Sequence, residues 1–290
     1  TDTAGNTAID DNSGVCYAFA TLDQPDYFTE LFTSNDNDLR GRAILFRPDG
    51  SGDFYHACSE AADAFFTDPS GGTVLSLGDD SFAAVTLTGG AQVRLYGTPY
   101  SDFYVGSNGY VTFTMGDTSY QESLANHFSR PRIAALFDDL NPGAGGTVSW
   151  KQSADRVAVT YANVPEWGAA TTNSFQIELF FDGRIRLTYL DVAATDGLAG
   201  LSAGQGVPAD FAESDLTAYG SCPVPADFDG DGDTDLSDYE YFQMCFQGPN
   251  RPCLPECVPA DLDHDGDVDL ADFTVFQRCF NGPNRPPACR

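Results

Sequence analysis

At 290 residues, 42% hydrophobic and 13% aromatic, the chain is long enough for one large domain plus a small one, and too apolar to be wholly disordered. Its 43 acidic and 14 basic residues give a formal net charge of −29, which repels phosphate backbones and anionic lipid and argues against nucleic-acid and membrane-surface roles. No apolar run is long enough to span a bilayer, so membrane insertion is not expected either.

Residues 1–42 read as an N-terminal extension and lead-in. The first 14 (TDTAGNTAIDDNSG) are polar and would fray unless they lie against something, either their own domain or a neighbouring copy, which makes residues 1–20 a candidate attachment segment. A start at Thr1, with no initiator methionine, reads as the beginning of a processed, exported product.

Residues 43–221 read as one β-rich domain. The pattern is mostly period two, with turn residues at short intervals, and marks strands over residues 43–47, 73–77, 82–87, 92–96, 110–114, 133–137, 147–150, 156–163, 174–181, 184–191 and 198–203. Asp182-Gly183 between two of these runs is a hairpin signal, because glycine supplies the positive φ of a tight turn. Helical patterns are short, around residues 59–64, 120–125 and 208–214. The expectation is a mainly β fold: a jelly-roll-like β-sandwich followed by a small C-terminal domain of helices and loops.

From residue 222 to 290 the composition shifts to Asp, Gly, Pro and Cys, and a repeat emerges. ADFDGDGDTDLSDYEYFQMCFQGPNRP, starting at Ala226, returns as ADLDHDGDVDLADFTVFQRCFNGPNRP at an offset of 34 residues, which predicts a repeated structural unit. Aspartates occupy positions 1, 3, 5, 7, 9 and 12 of a twelve-residue loop. They are Asp227, Asp229, Asp231, Asp233, Asp235 and Asp238 in the first copy, and Asp261, Asp263, Asp265, Asp267, Asp269 and Asp272 in the second. Gly232 and Gly266 stand at position 6. Calcium is a hard cation that takes about six to eight oxygens, and a loop bent at a glycine turns alternate carboxylates inward around it. Position 7 needs only its backbone carbonyl, so the Asp233 and Asp267 side chains are expected behind the ligands or facing solvent. Two bound calcium ions are therefore expected. Apolar helices over residues 236–246 and 270–280 would share a small aromatic core, and each ends at a Gly-Pro-Asn-Arg-Pro turn.

Six of the eight cysteines fall in these last 69 residues, as in a disulfide-stapled extracellular module. The simplest expected pairing is Cys245–Cys253, Cys279–Cys289, Cys222–Cys257 and Cys16–Cys58.

These loop and helix residues resemble the type I dockerin repeat, an EF-hand-type loop without its entering helix, followed by one helix and present twice. The resemblance implies a calcium-folded module that docks onto a cohesin-like partner. The helix positions that carry recognition in that family hold Leu236-Ser237 and Leu270-Ala271, and the paired prolines and three cysteines per repeat depart from it. In the large domain, residues 104–113 (YVGSNGYVTF), 131–142 (PRIAALFDDLNP) and 180–190 (FFDGRIRLTYL) resemble a β-rich, nidogen-like domain of large secreted bacterial proteins. This second resemblance implies extracellular attachment.

Catalytic signals are sparse, and an enzyme is not expected. The three histidines, His56, His127 and His264, form no zinc-binding pair, and no nucleophile elbow or phosphate-cradling glycine loop occurs. Glu122, Glu166 and Glu178 are carboxylates that nothing in the pattern selects. Asp138, Asp139 and Asn141, at the end of an apolar run, suit either a further calcium, a sugar held through one, or an Asx turn. Asp36-Asn37-Asp38 is a lesser group of the same kind. Tyr96, Tyr100, Tyr104, Trp150 and Trp167 offer either stacking surfaces for a sugar or ordinary core packing.

The combined expectation is a non-enzymatic, extracellular or cell-surface, calcium-binding structural or adhesive protein. Its partner would be another protein or further copies of itself, joined through the termini into a filament. The alternatives are a lectin-like module that binds polysaccharide and an anchoring domain of a larger secreted hydrolase.

Overall fold

The computed structural model describes residues 25–33, 35–51, 53–222, 226–229, 233–263, 265–283 and 285. The candidate attachment segment, Cys16, Asp231, Gly232, His264 and Cys289 lie outside the described residues.

The strands are β1 (Thr29–Phe32), β2 (Arg42–Pro48), β3 (Tyr55–Ala61), β4 (Thr73–Leu75), β5 (Phe82–Thr86), β6 (Val93–Leu95), β7 (Thr98–Tyr100) and β8 (Asp102–Gly106). They continue with β9 (Tyr110–Thr112), β10 (Pro131–Phe137), β11 (Thr147–Gln152), β12 (Arg156–Pro165), β13 (Thr172–Phe180), β14 (Ile185–Asp191) and β15 (Gly197–Ala203). A six-stranded sheet runs β1-β15-β10-β9-β8-β5, and a seven-stranded sheet runs β3-β2-β14-β13-β12-β11-β4. β6 and β7 form a separate ribbon. The pairings are antiparallel throughout, as hairpin-rich alternation predicts.

The inner faces supply the core. Phe46, Val159, Phe175, Ile177 and Leu187 of the larger sheet join Phe103, Val105, Val111, Ile133 and Leu201 of the smaller one in a single buried cluster. Two tyrosines cross between the sheets. Tyr161 donates its hydroxyl to the Gly106 carbonyl at 2.6 Å, and Tyr189 to the Ala135 carbonyl at 2.8 Å. Each apolar ring fills the core while its hydroxyl satisfies a carbonyl on the facing sheet.

All eleven expected strands form, and Gly183 takes φ +99° at the tip between β13 and β14. Strands β1, β3, β7 and β8 were not foreseen, and β3 corrects an expected helix. Residues 59–64 carry good helix formers, yet Tyr55–Ala61 pairs along its whole length with β2. A ladder that buries Tyr55, Ala57 and Cys58 outweighs the fraction of a kcal/mol per residue that helix propensity offers. No helix forms at residues 208–214. The helix expected at 120–125 starts later, as α1 (Leu124–Phe128), because Ser123 caps it by accepting from the Asn126 N–H.

In the tail, α2 (Leu236–Cys245) and α3 (Leu270–Cys279) lie close to their expected bounds, with a 3-10 turn at Pro255–Ala260 between them. Phe242 and Phe276 are buried with ring centroids 5.4 Å apart, flanked by Tyr239 and Phe273. This is the shared aromatic core that the repeat predicts.

The disulfides differ from expectation. Cys58 bonds to Cys222 and Cys245 to Cys257, while Cys253 is free. Cys279 is also disulfide-bonded, and its expected partner lies outside the described residues. The expectation kept all six tail cysteines within the tail. A parallel bridge between Ser59 and Ser221 instead sets Cys222 beside β3, where Cys58 takes it, and Cys257 is left to close on Cys245.

Candidate metal centres

The tail loops draw their aspartates together. In the first loop Asp227, Asp229 and Asp238 present carboxylate oxygens within 4.8 Å of one another, as do Asp233, Asp235 and Asp238. In the second, Asp261, Asp263 and Asp265 form one such group and Asp267, Asp269 and Asp272 another. Eleven of the twelve predicted ligand residues thus fall into these clusters, and Asp231 lies outside the described residues.

Position 12 does the most to shape each loop. Asp238 is fully buried and accepts from the backbone N–H groups of Phe228 at 2.6 Å, Asp229 at 3.3 Å and Asp235 at 2.8 Å. Asp272 repeats the pattern with Leu262 at 2.6 Å, Asp263 at 3.1 Å and Asp269 at 2.8 Å. One carboxylate thereby ties the start of the loop to the first turn of the helix. Asp235 and Asp269 are the N-caps and complete reciprocal capping boxes with position 12. At position 1, Asp261 accepts from the N–H groups of Asp265 at 3.1 Å and Gly266 at 3.0 Å, and Gly266 supplies the bend at φ +95°.

Of the two expectations for position 7, the solvent-facing one does not hold: Asp233 and Asp267 are buried. Asp267 accepts from the Asn250 N–H in the turn after α2, a contact missed in the sequence. In addition, each loop is held by the opposite repeat at position 8. The Val268 carbonyl accepts from Gln247 and Gly248 N–H groups, both at 3.1 Å, and the Thr234 carbonyl accepts from Asn281 at 3.1 Å and Gly282 at 3.2 Å. These partners differ by 34 residues in each case, so the clasp is reciprocal about a pseudo-twofold axis. The repeated Gly-Pro-Asn-Arg-Pro turn was its signal. It ends a helix, and it also locks the other loop.

Asp138, Asp139 and Asn141 take different partners. The Asn141 side-chain oxygen accepts from the Ala144 N–H, three residues on, at 3.1 Å. Asp139 groups with Asp79 and Asp80 at the surface, within 4.8 Å. Asp138 is 7% exposed, and burial, followed by the carboxylates of Glu166, Asp196 and Glu122, pushes its pKa up to about 7. Two of the three motif segments, 104–113 and 131–142, meet at this end of the sandwich. Asn108, fully buried, donates to Asp80 at 2.9 Å and accepts from the Leu140 N–H at 3.1 Å. Gly109 offers its carbonyl to the N–H groups of Ala135 and Leu136, where β10 bulges between Ala134 and Phe137.

The other candidates are structural or superficial. Asp36 and Asn37 accept from nearby backbone, and Asp38 accepts from the Thr217 hydroxyl at 2.7 Å. His56 is exposed on β3, whereas His127 is buried beside Thr29, and burial, followed by Arg132, lowers its pKa to about 3. Glu178 lies buried between Arg156 at 3.2 Å and Arg186 at 3.4 Å. Tyr96, Tyr100 and Trp150 pack on the core and Tyr104 on Phe82, while Trp167 is exposed.

A family model described as NIDO related matches residues 55–225, more than half of the chain. The chain belongs to this family, which agrees with the nidogen-like resemblance of its sandwich motifs. No curated protein and no solved structure matches it.

Proposed function

We propose that this is an extracellular calcium-binding structural or adhesive protein, in which a NIDO-related sandwich is extended by a paired, dockerin-type calcium module. The observation that carries the reading is the tail's doubled geometry. Two acidic loops gather carboxylates within 4.8 Å of one another, and each is clasped at position 8 by the opposite repeat. An all-oxygen donor set of this density suits a hard divalent cation. When bound, calcium would offset part of each loop's negative charge, while Asp238 and Asp272 keep the backbone wrapped around it. The disulfides support an oxidising, extracellular setting.

Attachment through the termini, to a protein partner or to further copies in a filament, is the sharper form of the proposal. Calorimetric titration of chelator-stripped protein should find two calcium equivalents in the tail, abolished when Asp227 and Asp261 are both changed to Asn. Electron microscopy in calcium and in chelator then tests assembly. Calcium-independent monomers in both would end the filament form, and no calcium uptake by the tail would end the whole reading.

A further inference from the structure

We propose that the sandwich holds a divalent cation of calcium's class, bound between Asp138 and Glu166 with Asp196 and Glu122 around it, at the end of β10. The proposal concerns a site separate from the tail loops and stands whether or not they bind calcium.

The backbone sets Asp138 and Glu166 on adjoining segments, with Asp196 and Glu122 near enough to act on the Asp138 charge, although no three of the four carboxylates lie within 4.8 Å of one another. Leu140 and Glu166 form an antiparallel bridge, and on either side of it Asn141 N–H donates to the Pro165 carbonyl at 2.9 Å and Trp167 N–H to the Asp139 carbonyl at 2.7 Å. Glu166 is thus fixed alongside Asp138. Asp196 precedes Gly197, whose missing side chain lets that turn approach: a Cβ there would lie 3.5 Å from the Asp138 Cβ and 3.2 Å from the Phe137 carbonyl oxygen. Glu122 precedes Ser123, the cap of α1, which packs on β10. The bulge in β10 and the Gly109 loop locked into it set the strand end from which Asp138 projects.

Two observations point to a ligand. Asp138 uses Oδ1 to accept from the Asp139 N–H at 2.7 Å, but its Oδ2 is buried with no hydrogen-bond partner. Glu166 Oε1 is likewise buried and has none. Leaving such oxygens unpaired costs about 1–3 kcal/mol each, more when charged, so native structures satisfy them. Among the described residues, no Lys or Arg forms an ion pair with any of the four acids, although Glu178 and Asp117 elsewhere in the domain are each held by two arginines. Burial and mutual repulsion raise the pKa values of Asp138, Glu166 and Glu122 together, as expected of carboxylates gathered without a counter-charge. Carboxylate oxygens alone select a hard cation over zinc or copper.

Trp167 gives the site its own readout. The chain has two tryptophans, Trp150 and Trp167, both in the sandwich, whereas the tail aromatics are Tyr and Phe. Terbium, standing in for calcium, should therefore luminesce on selective tryptophan excitation when it occupies this site but not when it occupies the tail loops. The wild-type chain should show a saturable, calcium-displaceable signal, lost in Trp167→Phe and kept when Asp227 and Asp261 are both Asn. Asp138→Asn, and separately Glu166→Gln, should weaken terbium binding about 100-fold, the top of the ~10–100-fold range for residues behind metal ligands. Glu166 is only part-buried, so its variant serves if Asp138→Asn fails to fold. No saturable tryptophan-sensitised signal, or one that both variants leave unchanged, would overturn the proposal.

Discussion

Asp238→Ala should loosen the first tail loop far more than Asp235→Ala, although both residues are candidate calcium ligands and both cap the same helix. Asp238 receives three backbone N–H groups at 2.6, 3.3 and 2.8 Å, two of them from the start of the loop. Hydrogen bonds to a charged group contribute about 1.5–3 kcal/mol each. Counting the two short ones fully and the long one little, the loss is roughly 3–6 kcal/mol, comparable to the whole stability of a module this small. Asp235→Ala removes an N-cap and should cost about 1 kcal/mol. Hydrogen exchange measured in chelator, so that lost metal affinity does not enter, isolates this backbone role. The amides of Phe228, Asp229 and Asp235 should lose protection in Asp238→Ala, and those of Leu262, Asp263 and Asp269 in Asp272→Ala. Equal, small losses in Asp238→Ala and Asp235→Ala would refute the idea that position 12 shapes the loop through its backbone contacts.

Calcium at a hundredfold over its dissociation constant should stabilise each occupied tail loop by about 2.7 kcal/mol, seen as a raised tail unfolding midpoint that chelator reverses. Because each position 8 carbonyl is held by the opposite repeat, Asp227→Asn should also weaken calcium binding in the second loop, about 5–150-fold if the coupling is of ordinary size, and Asp261→Asn should do the same to the first; unchanged affinities in calorimetry would show that the clasp transmits nothing. Gly109→Ala should cost several kcal/mol in chemical denaturation, since a Cβ there would stand 1.7 Å from the Leu136 carbonyl oxygen on a backbone at φ +78°. Glu30 is raised to about 7 by burial, against the bond from the Leu216 N–H and with help from Asp38, Asp215 and Glu213. The folded state holds that proton more tightly than the unfolded chain, so this contribution is present in acid and fades as pH rises through about 7. Thermal midpoints of Glu30→Gln should therefore exceed those of wild type above neutral pH and converge with them towards about pH 5.

What the sequence made legible followed from periodicity and repetition. Eleven strands were readable from a pattern that is mostly period two with turn residues between the runs, and the acidic loops because two copies agree in register. The missed strands lack that signal. Residues 55–61 (YHACSEA) offer small and polar residues whose inward faces are decided by β2, and Thr29–Phe32 is four residues long and defined by its pairing with β15. Asp138, Asp139 and Asn141 stand close together in the sequence but take different partners in the fold. Their partners, Asp79 and Asp80 for one and Glu166 and Asp196 for another, come from distant segments and have no local mark.

The disulfide pattern explains why sandwich and tail carry separate dependences. The family match spans residues 55–225, and the Cys58–Cys222 bond sits just inside both of its ends. That bond closes a loop with a sequence separation of 164, large enough in the chain-entropy view to stabilise the fold by about 5 kcal/mol. It also fastens Ser221 along Ser59 of β3, covering part of an edge strand that would otherwise present unpaired backbone to another chain. The tail starts where this closure is complete, and its Cys245–Cys257 bond lies entirely within itself. Reduction should therefore weaken the sandwich through one bond whatever the calcium level, while chelation acts first on the tail loops. The two perturbations meet in the sandwich only if the acidic cluster around Asp138 takes up an ion of its own.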